Sequence, residues 1–580
     1  HPPPGVKVTL SGSPAFSQEM MQEMGSSMRV LILAAMVLMV VAVMTLFHHV
    51  RYTLLPVGIV GVGLVLTFGV MGLAGIPISM VVIGAFPVLI GIGIDYAIQI
   101  HSRLDEESRK VPLPEAVRTT VMKTGPAVLI AMLATSMGFI AMVCGPIPMV
   151  GDFGITCTIG VVSCYLAALV LVPVFAMVVV YRPKAKREDG DAAERDRPQH
   201  SLIERYDAFL GNVACRIARN PVPVLIFVFL FAIVGFSLDN EVPISADEKT
   251  FVPSEMPALQ YMNKVTRTMG STTTIPVMVS SGNVLDPETV RWIYDFGEYE
   301  RTHNDKITGV TSIATLLARY NNGVLPATEE EIRQVLARIP GEARKRYLSG
   351  NIEAVMEFST VDLEISQARS QIALIRNDLR WYTPPAGVSA RVTGTIEMFS
   401  ALIDDIKNSK TTMTLLGFAF ILAFLLAAYR RPRAVSPLLP IVAIVGWNGA
   451  IMYWLGLDYT PLTAVLGSMT IGVASEYTIL IMERVEEEMG RGLDLYSAIR
   501  TSVQRIGTAI TVSGLTTVFG FSALILSEFN IVSNFGITTV ITVGFSLLGA
   551  ILIMPAIIAL MYGAGGRGAE GQRGEAPAPA

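Results

Sequence analysis

Two carboxylates stand where apolar residues are expected. Asp95 lies in Gly91-Ile92-Gly93-Ile94-Asp95-Tyr96 and Glu476 in Gly472-Val473-Ala474-Ser475-Glu476-Tyr477, each inside a long apolar segment (79–100 and 461–482). A charge at the middle of a membrane-length helix costs roughly 2.5–3.5 kcal/mol on insertion scales, so such a residue normally has a task. A low-dielectric surround favours the neutral form of a carboxyl, which suits an acid that takes up and releases protons. Each acid is followed directly by a tyrosine, Tyr96 or Tyr477, whose hydroxyl can donate to an ionised carboxylate. Two such dipeptides facing each other permit cross-pairing. The bland alternative, a neutral packing acid, must be invoked twice at matching places. The expectation is therefore an ion-coupling set of Asp95, Tyr96, Glu476 and Tyr477, with Na⁺ left open beside protons.

The neighbours fit that expectation. Gly91, Gly93 and Gly472 let helices approach closely and set each acid against the partner half instead of lipid. Thr135 and Ser136 on a later segment, and Thr516 and Thr517 at the corresponding place downstream, are candidates for polar lining. Hydroxyls bonded to their own helix backbone are the equally simple alternative for all four.

The composition demands a membrane. Of 580 residues, 52% are hydrophobic and only 16% charged, with a mean hydropathy of +0.53; soluble domains carry about 25% charged residues. A net charge of −4 gives no reason to expect nucleic acid. The four cysteines lie in or beside apolar segments and form neither a disulfide framework nor a zinc spacing. No GxxxxGK[ST] phosphate loop is present, and adjacent His48 and His49 at a span end read as interfacial residues. Neither a catalytic residue nor a cofactor or metal is expected.

Apolar runs of membrane length number about eleven. They group as a first bundle of five spans over 29–181, a single span at 222–238, and a second bundle of five spans over 411–562. Arg51, the linker 182–221 and Arg430, Arg431 and Arg433 put those loops on the cytoplasmic side by the positive-inside rule. The linker's cations also suit anionic membrane lipid. The polar insertion 239–410 then faces outward; its alternating helix-like and strand-like runs suggest an α+β domain of two β-α-β units side by side. The charged stretches 101–118 and 483–500 read as amphipathic surface helices, and 563–580 as a disordered tail.

A shift of about 381–382 residues superimposes the two halves. Arg103 meets Arg484, Gly138-Phe139 meets Gly520-Phe521, Phe153-Gly154-Ile155-Thr156 meets Phe535-Gly536-Ile537-Thr538, and Pro173 meets Pro555. The same loops are basic in both copies, so the repeat is parallel. Residues 1–28 match only the end of what precedes the second bundle, which leads us to expect a preceding span and outer domain of roughly 160 residues.

These features resemble the resistance–nodulation–division (RND) superfamily, and within it the MMPL-type, hopanoid- or lipid-exporting branch. GxxxDY at Gly91–Tyr96, GxxxEY at Gly472–Tyr477, the parallel repeat and the large outer loop carry the likeness. The resemblance implies a polytopic α-helical protein of the cytoplasmic (inner) membrane of a prokaryote, with a parallel tandem repeat of helix bundles and an extracytoplasmic porter domain at 239–410. Residues 1–28 would be the remnant of a first porter domain. It implies proton-driven export of a hydrophobic or amphiphilic molecule. It leaves two other readings: a lipid sensor of sterol-sensing type, and an accessory of protein export. The glutamate at 476, where an aspartate is common, departs from the pattern.

Overall fold

A computed structural model of the chain describes residues 9–47, 50–183, 202–245, 248–269, 273–361, 363 and 365–570. His48 and His49, and residues 1–8, 184–201 and 571–580, lie outside these. Two compact units emerge, His1–Met21 with Ala246–Asp404, and Gln22–Ser245 with Asp405–Ala580.

The larger unit is helical. Its first half holds α1 (Ser13–Leu46), α2 (Leu55–Ala74), α3 (Ala85–Ser108), α4 (Leu113–Val143) and α5 (Pro148–Val178). Next come α6 (Leu202–Arg219) and α7 (Pro221–Asp239). The second half holds α8 (Thr395–Tyr429), α9 (Leu438–Trp454), α10 (Leu466–Gly490), α11 (Leu495–Ile525) and α12 (Asn530–Leu548), which passes through a π-helical turn, Gly549–Ile553, into α13 (Met554–Glu570). Among the described residues, eleven helices are long and apolar enough to cross a membrane. Their outward faces are apolar too: Leu33, Val37, Leu73, Phe227 and Ile233 are all exposed, as lipid-facing residues must be. The acid-bearing helices are the most enclosed, with 100% of the apolar window of the α3 span and 89% of that of the α10 span buried, against 28% for α1. The carboxylates therefore sit on the two helices furthest from lipid.

Three expectations need correction here. The stretches 101–118 and 483–500 are not separate surface helices. α3 runs on to Ser108 and α10 to Gly490, and after short turns α4 and α11 begin. Charge along these ends is absorbed by i,i+3 and i,i+4 pairs such as Arg103–Glu107 and Arg484–Glu488, which let a helix extend past the apolar layer. A detached amphipathic helix does occur, but it is α6, whose pattern the basic linker had obscured. The tail also stays helical as far as Glu570.

The smaller unit contains one sheet. Its strands β1 (Thr274–Ser280), β2 (Ile307–Thr311), β3 (Leu348–Ser349), β4 (Glu353–Thr360) and β5 (Ser389–Val392) take the order β2-β4-β1-β5, with β3 on β4, and every pairing is antiparallel. It follows that β1 and β2 are parallel with β4 between them, while β4 and β5 are parallel with β1 between them. The helices Pro287–His303 and Ile365–Trp381 make the two crossovers. The β-α-β units are thus split and interleaved, a ferredoxin-like arrangement, not two units side by side. Periodicity locates strands but not their neighbours, which explains the difference. Alternate residues of β1 and β4 (Ile275, Val277, Val279; Ala354, Met356, Phe358) are buried with Ile293 and Phe296 in the core.

Where α7 ends, Asp239 accepts from Lys410 Nζ at 2.7 Å and from Tyr459 Oη at 2.5 Å. One carboxylate thereby ties the end of α7 to the middle of α8 and to the turn that precedes α10.

In the smaller unit Glu300 is buried and its Oε1 has no hydrogen-bond partner among the described residues; burial first, and then Asp378, push its carboxyl up to about 7. A raised folded-state value means that the folded unit binds the proton more tightly than the unfolded chain. Stability of this unit should therefore fall as pH rises from about 4.5 to about 7. Hydrogen exchange of the helix Pro287–His303 across that window should show progressively weaker protection, and Glu300→Gln should remove the slope.

Candidate functional site

The site forms where α3 and α10 each meet a helix of the opposite half. Gly91 is in contact with Gly520 on α11: a Cβ added at Gly520 would lie 2.8 Å from Gly91 Cα. Its counterpart is Gly138 on α4, where an added Cβ would lie 2.7 Å from Gly472 Cα. Such approaches leave no room for a side chain. They also bring hydroxyls to the facing backbone, as Thr517 Oγ1 lies 3.0 Å from Gly91 O and Thr135 Oγ1 3.2 Å from Gly472 O. The offset of about 382 residues read from the sequence is thus a spatial pseudo-twofold.

Asp95 and Glu476 are both buried, at 1% and 2% exposure. Tyr477 Oη donates to Asp95 Oδ2 at 3.1 Å, and Thr517 Oγ1 reaches the same oxygen at 3.0 Å. Thr517 has a single proton for Asp95, Gly91 O and Ser513 O, so it serves one of them at a time. Ser513 and Thr516 stand close to the carboxyl, yet Asp95 Oδ1 has no hydrogen-bond partner among the described residues. Glu476 Oε1 accepts from Gln99 Nε2 at 3.0 Å.

The structure therefore makes one of the two cross-pairs, Tyr477 to Asp95. The mirror pair is not made, since Tyr96 Oη is buried without a hydrogen-bond partner among the described residues, although Thr135 lies nearby and the ring packs edge-on against Tyr165 at 6.2 Å. Gly91 and Gly472 do meet the opposite half. Gly93 does not: the site of its absent Cβ is 2.6 Å from Cys164 Sγ on α5, within its own half, because it lies two residues round the helix from Gly91. Ser136 also departs from the expected lining role. Its hydroxyl donates to Met132 O at 2.9 Å, a bond to its own helix.

Sequence reasoning passed over several polar partners. Gln99 lies one turn inward of Asp95 and had no charge to mark it. Ser468 Oγ donates to Gly138 O at 2.7 Å, further binding α10 to α4. Asn448 joins Thr470 (2.8 Å) to Thr542 (2.9 Å) inside the second half. In the first half the matching place is filled by Leu89 packed on Gly160. Repeat alignment alone could have shown these unequal positions. Among the described residues no cluster of side chains could hold a metal ion.

The comparisons agree with this architecture. The sequence matches the family model described as MMPL family over residues 1–224 and 327–576. It is 28% identical over 363 residues to a protein of Methanocaldococcus jannaschii described as a membrane protein, covering 60% of this chain and 93% of that one. It is 25% identical over 225 residues to MmpL9 of Mycobacterium tuberculosis, described as a transport protein, covering 37% of this chain and 22% of that one. Among solved structures, SecDF in its super-membrane-facing form aligns with TM-score 0.56 and 14% identity over 96% of this chain and 64% of that chain, a likeness of fold alone.

The glycine contacts generate a direct test. Gly472→Val would drive methyls into Thr135 O, already 2.9 Å from the position of a Cβ, and overpacking of this kind costs about 1–3 kcal/mol. The melting temperature in detergent should drop accordingly. Gly61→Val, where nothing lies within 4 Å, should leave it unchanged.

Proposed function

Because the chain belongs to the MMPL family, a family of membrane transporters, we propose that it couples proton entry to the export of a lipid or other amphiphile. The carrying observation is the arrangement of Asp95 and Glu476: enclosed, on twin helices, and supplied with donors by the opposite half. A structural acid would have its hydrogen-bonding capacity filled, whereas Asp95 Oδ1 has no hydrogen-bond partner among the described residues. In this reading Asp95 takes a proton from the outer side, and loss of its charge weakens its hold on Tyr477 Oη and Thr517 Oγ1. The two halves then move relative to each other, and release of the proton inward restores the link. Glu476 works with Gln99 as the second station. The oxygen-only environment also suits Na⁺ chemically, and the test separates the two ions.

Apolar outer faces and, among the described residues, eleven candidate spans suit a membrane protein, which an amphiphile can enter sideways from lipid. The protein-export reading shares the fold of SecDF but has no side-chain observation in its favour. The proposal is tested in proteoliposomes carrying a fluorescent short-chain phospholipid under an imposed pH gradient. Translocation should require the gradient, ignore a Na⁺ gradient, and fall at least about tenfold in Asp95→Asn. Undiminished transport by a folded Asp95→Asn protein would remove the acid from the mechanism.

A further inference from the structure

The two halves part company on the inner side of the relay. A cavity of about 510 Å³ has Gln99, Leu480 and Ser513 in its wall, and Arg103, Glu106 and Lys110 at its mouth. The mouth is open to solvent, since the Glu106 and Lys110 side chains are 51% and 54% exposed. Both acids adjoin this one cavity through a single polar side chain each. Gln99, a wall residue, donates its amide N–H to Glu476. Ser513, also a wall residue, stands beside the Asp95 carboxyl, and its buried Oγ has no hydrogen-bond partner among the described residues.

Across the pseudo-twofold the same places are apolar. The offset of about 381–382 residues puts Leu480 opposite Gln99, Ala131 opposite Ser513 and Ala134 opposite Thr516. Ala131 and Ala134 are fully buried on α4. None of these three side chains can pass a proton on, because that takes a group that both donates and accepts.

We infer that protons pass between the relay and the inner side by one route, this cavity, with Ser513 serving Asp95 and Gln99 positioning Glu476. The inference rests on the proton-coupling reading above. A polar-walled cavity of this size takes up water. Asp95 gives its proton to Ser513 Oγ as that hydroxyl gives its own to cavity water, so the serine ends unchanged and the carboxyl ionised. Gln99 does not titrate; its amide holds the Glu476 carboxyl towards the cavity. The glutamine and serine are two of the places where this chain departs from its own repeat, and both fall on one cavity.

The test needs no cargo. Infrared spectroscopy follows the C=O bands of the two buried carboxyl groups, assigned with Asp95→Asn and Glu476→Gln, after transfer from water to D₂O. In the double variant Gln99→Leu/Ser513→Ala, which installs the residues of the opposite half, exchange should slow at least tenfold while both C=O bands remain present. Exchange at the wild-type rate would overturn the route. Should that variant fold poorly, Ser513→Cys, made with Cys144 and Cys215 replaced by serine, is treated in sealed vesicles with a membrane-impermeant methanethiosulfonate. Labelling from the basic-loop face alone supports the route; labelling from the outer face, or none, contradicts it. Fast exchange in the variant sinks only the route, whereas undiminished transport by Asp95→Asn sinks the relay itself.

Discussion

A carboxyl group taken out of water must find its donors inside the protein, and here those donors belong to the other half of the chain. Asp95 on α3 is held by Tyr477 of α10 and Thr517 of α11; Glu476 on α10 is held by Gln99 of α3. Hydrogen bonds of this length require the helices to touch, and only backbone against backbone is close enough. Gly91 against Gly520 and Gly472 against Gly138 supply that contact. The enclosure of the acid helices and the lipid-facing character of the peripheral ones follow from it. Widening either glycine pair would separate the acids from their donors as well as the helices from each other.

Duplication gave the site its frame, and departures from duplication make its two carboxyl groups unequal. An axis along the membrane normal would make the two carboxyl positions alike if the copies were identical. The stations here differ in residue, with aspartate against glutamate, and in donors, with two hydroxyls against one amide. The Tyr96 hydroxyl has no hydrogen-bond partner among the described residues, whereas its twin Tyr477 is engaged. Exchange of one cross-pair for the other would be a discrete change between the halves, the kind of bistable contact on which a conformational cycle can run.

Much of this was legible in the sequence because the physics is blunt. A carboxylate inside an apolar run is conspicuous, and its reappearance about 381 residues later more so. The spans and the enclosed acids follow from hydropathy alone. The glycines were legible as close-approach positions, but their partners were not, so Gly93 was assigned to the wrong neighbour. Gln99 and Ser513 stayed hidden because neutral polar residues in membrane helices usually bond their own backbone, as Ser136 does. In the smaller unit the strands were visible by alternation, yet β4 lying between β1 and β2 depends on pairing at long range, which periodicity does not encode. The charged ends of α3 and α10 misled in the opposite way: charge suggested a new surface element where i,i+4 pairs carry the same helix onward.

The central claim is that Tyr477 acts through Asp95 across the interface between the halves. A double-mutant cycle measures this directly: gradient-driven translocation of the fluorescent phospholipid is compared in Asp95→Asn, Tyr477→Phe and the two combined. The account expects the combined variant to be no slower than Asp95→Asn alone, because the hydroxyl has nothing left to act on. Losses that multiply would show two independent contributions and contradict it.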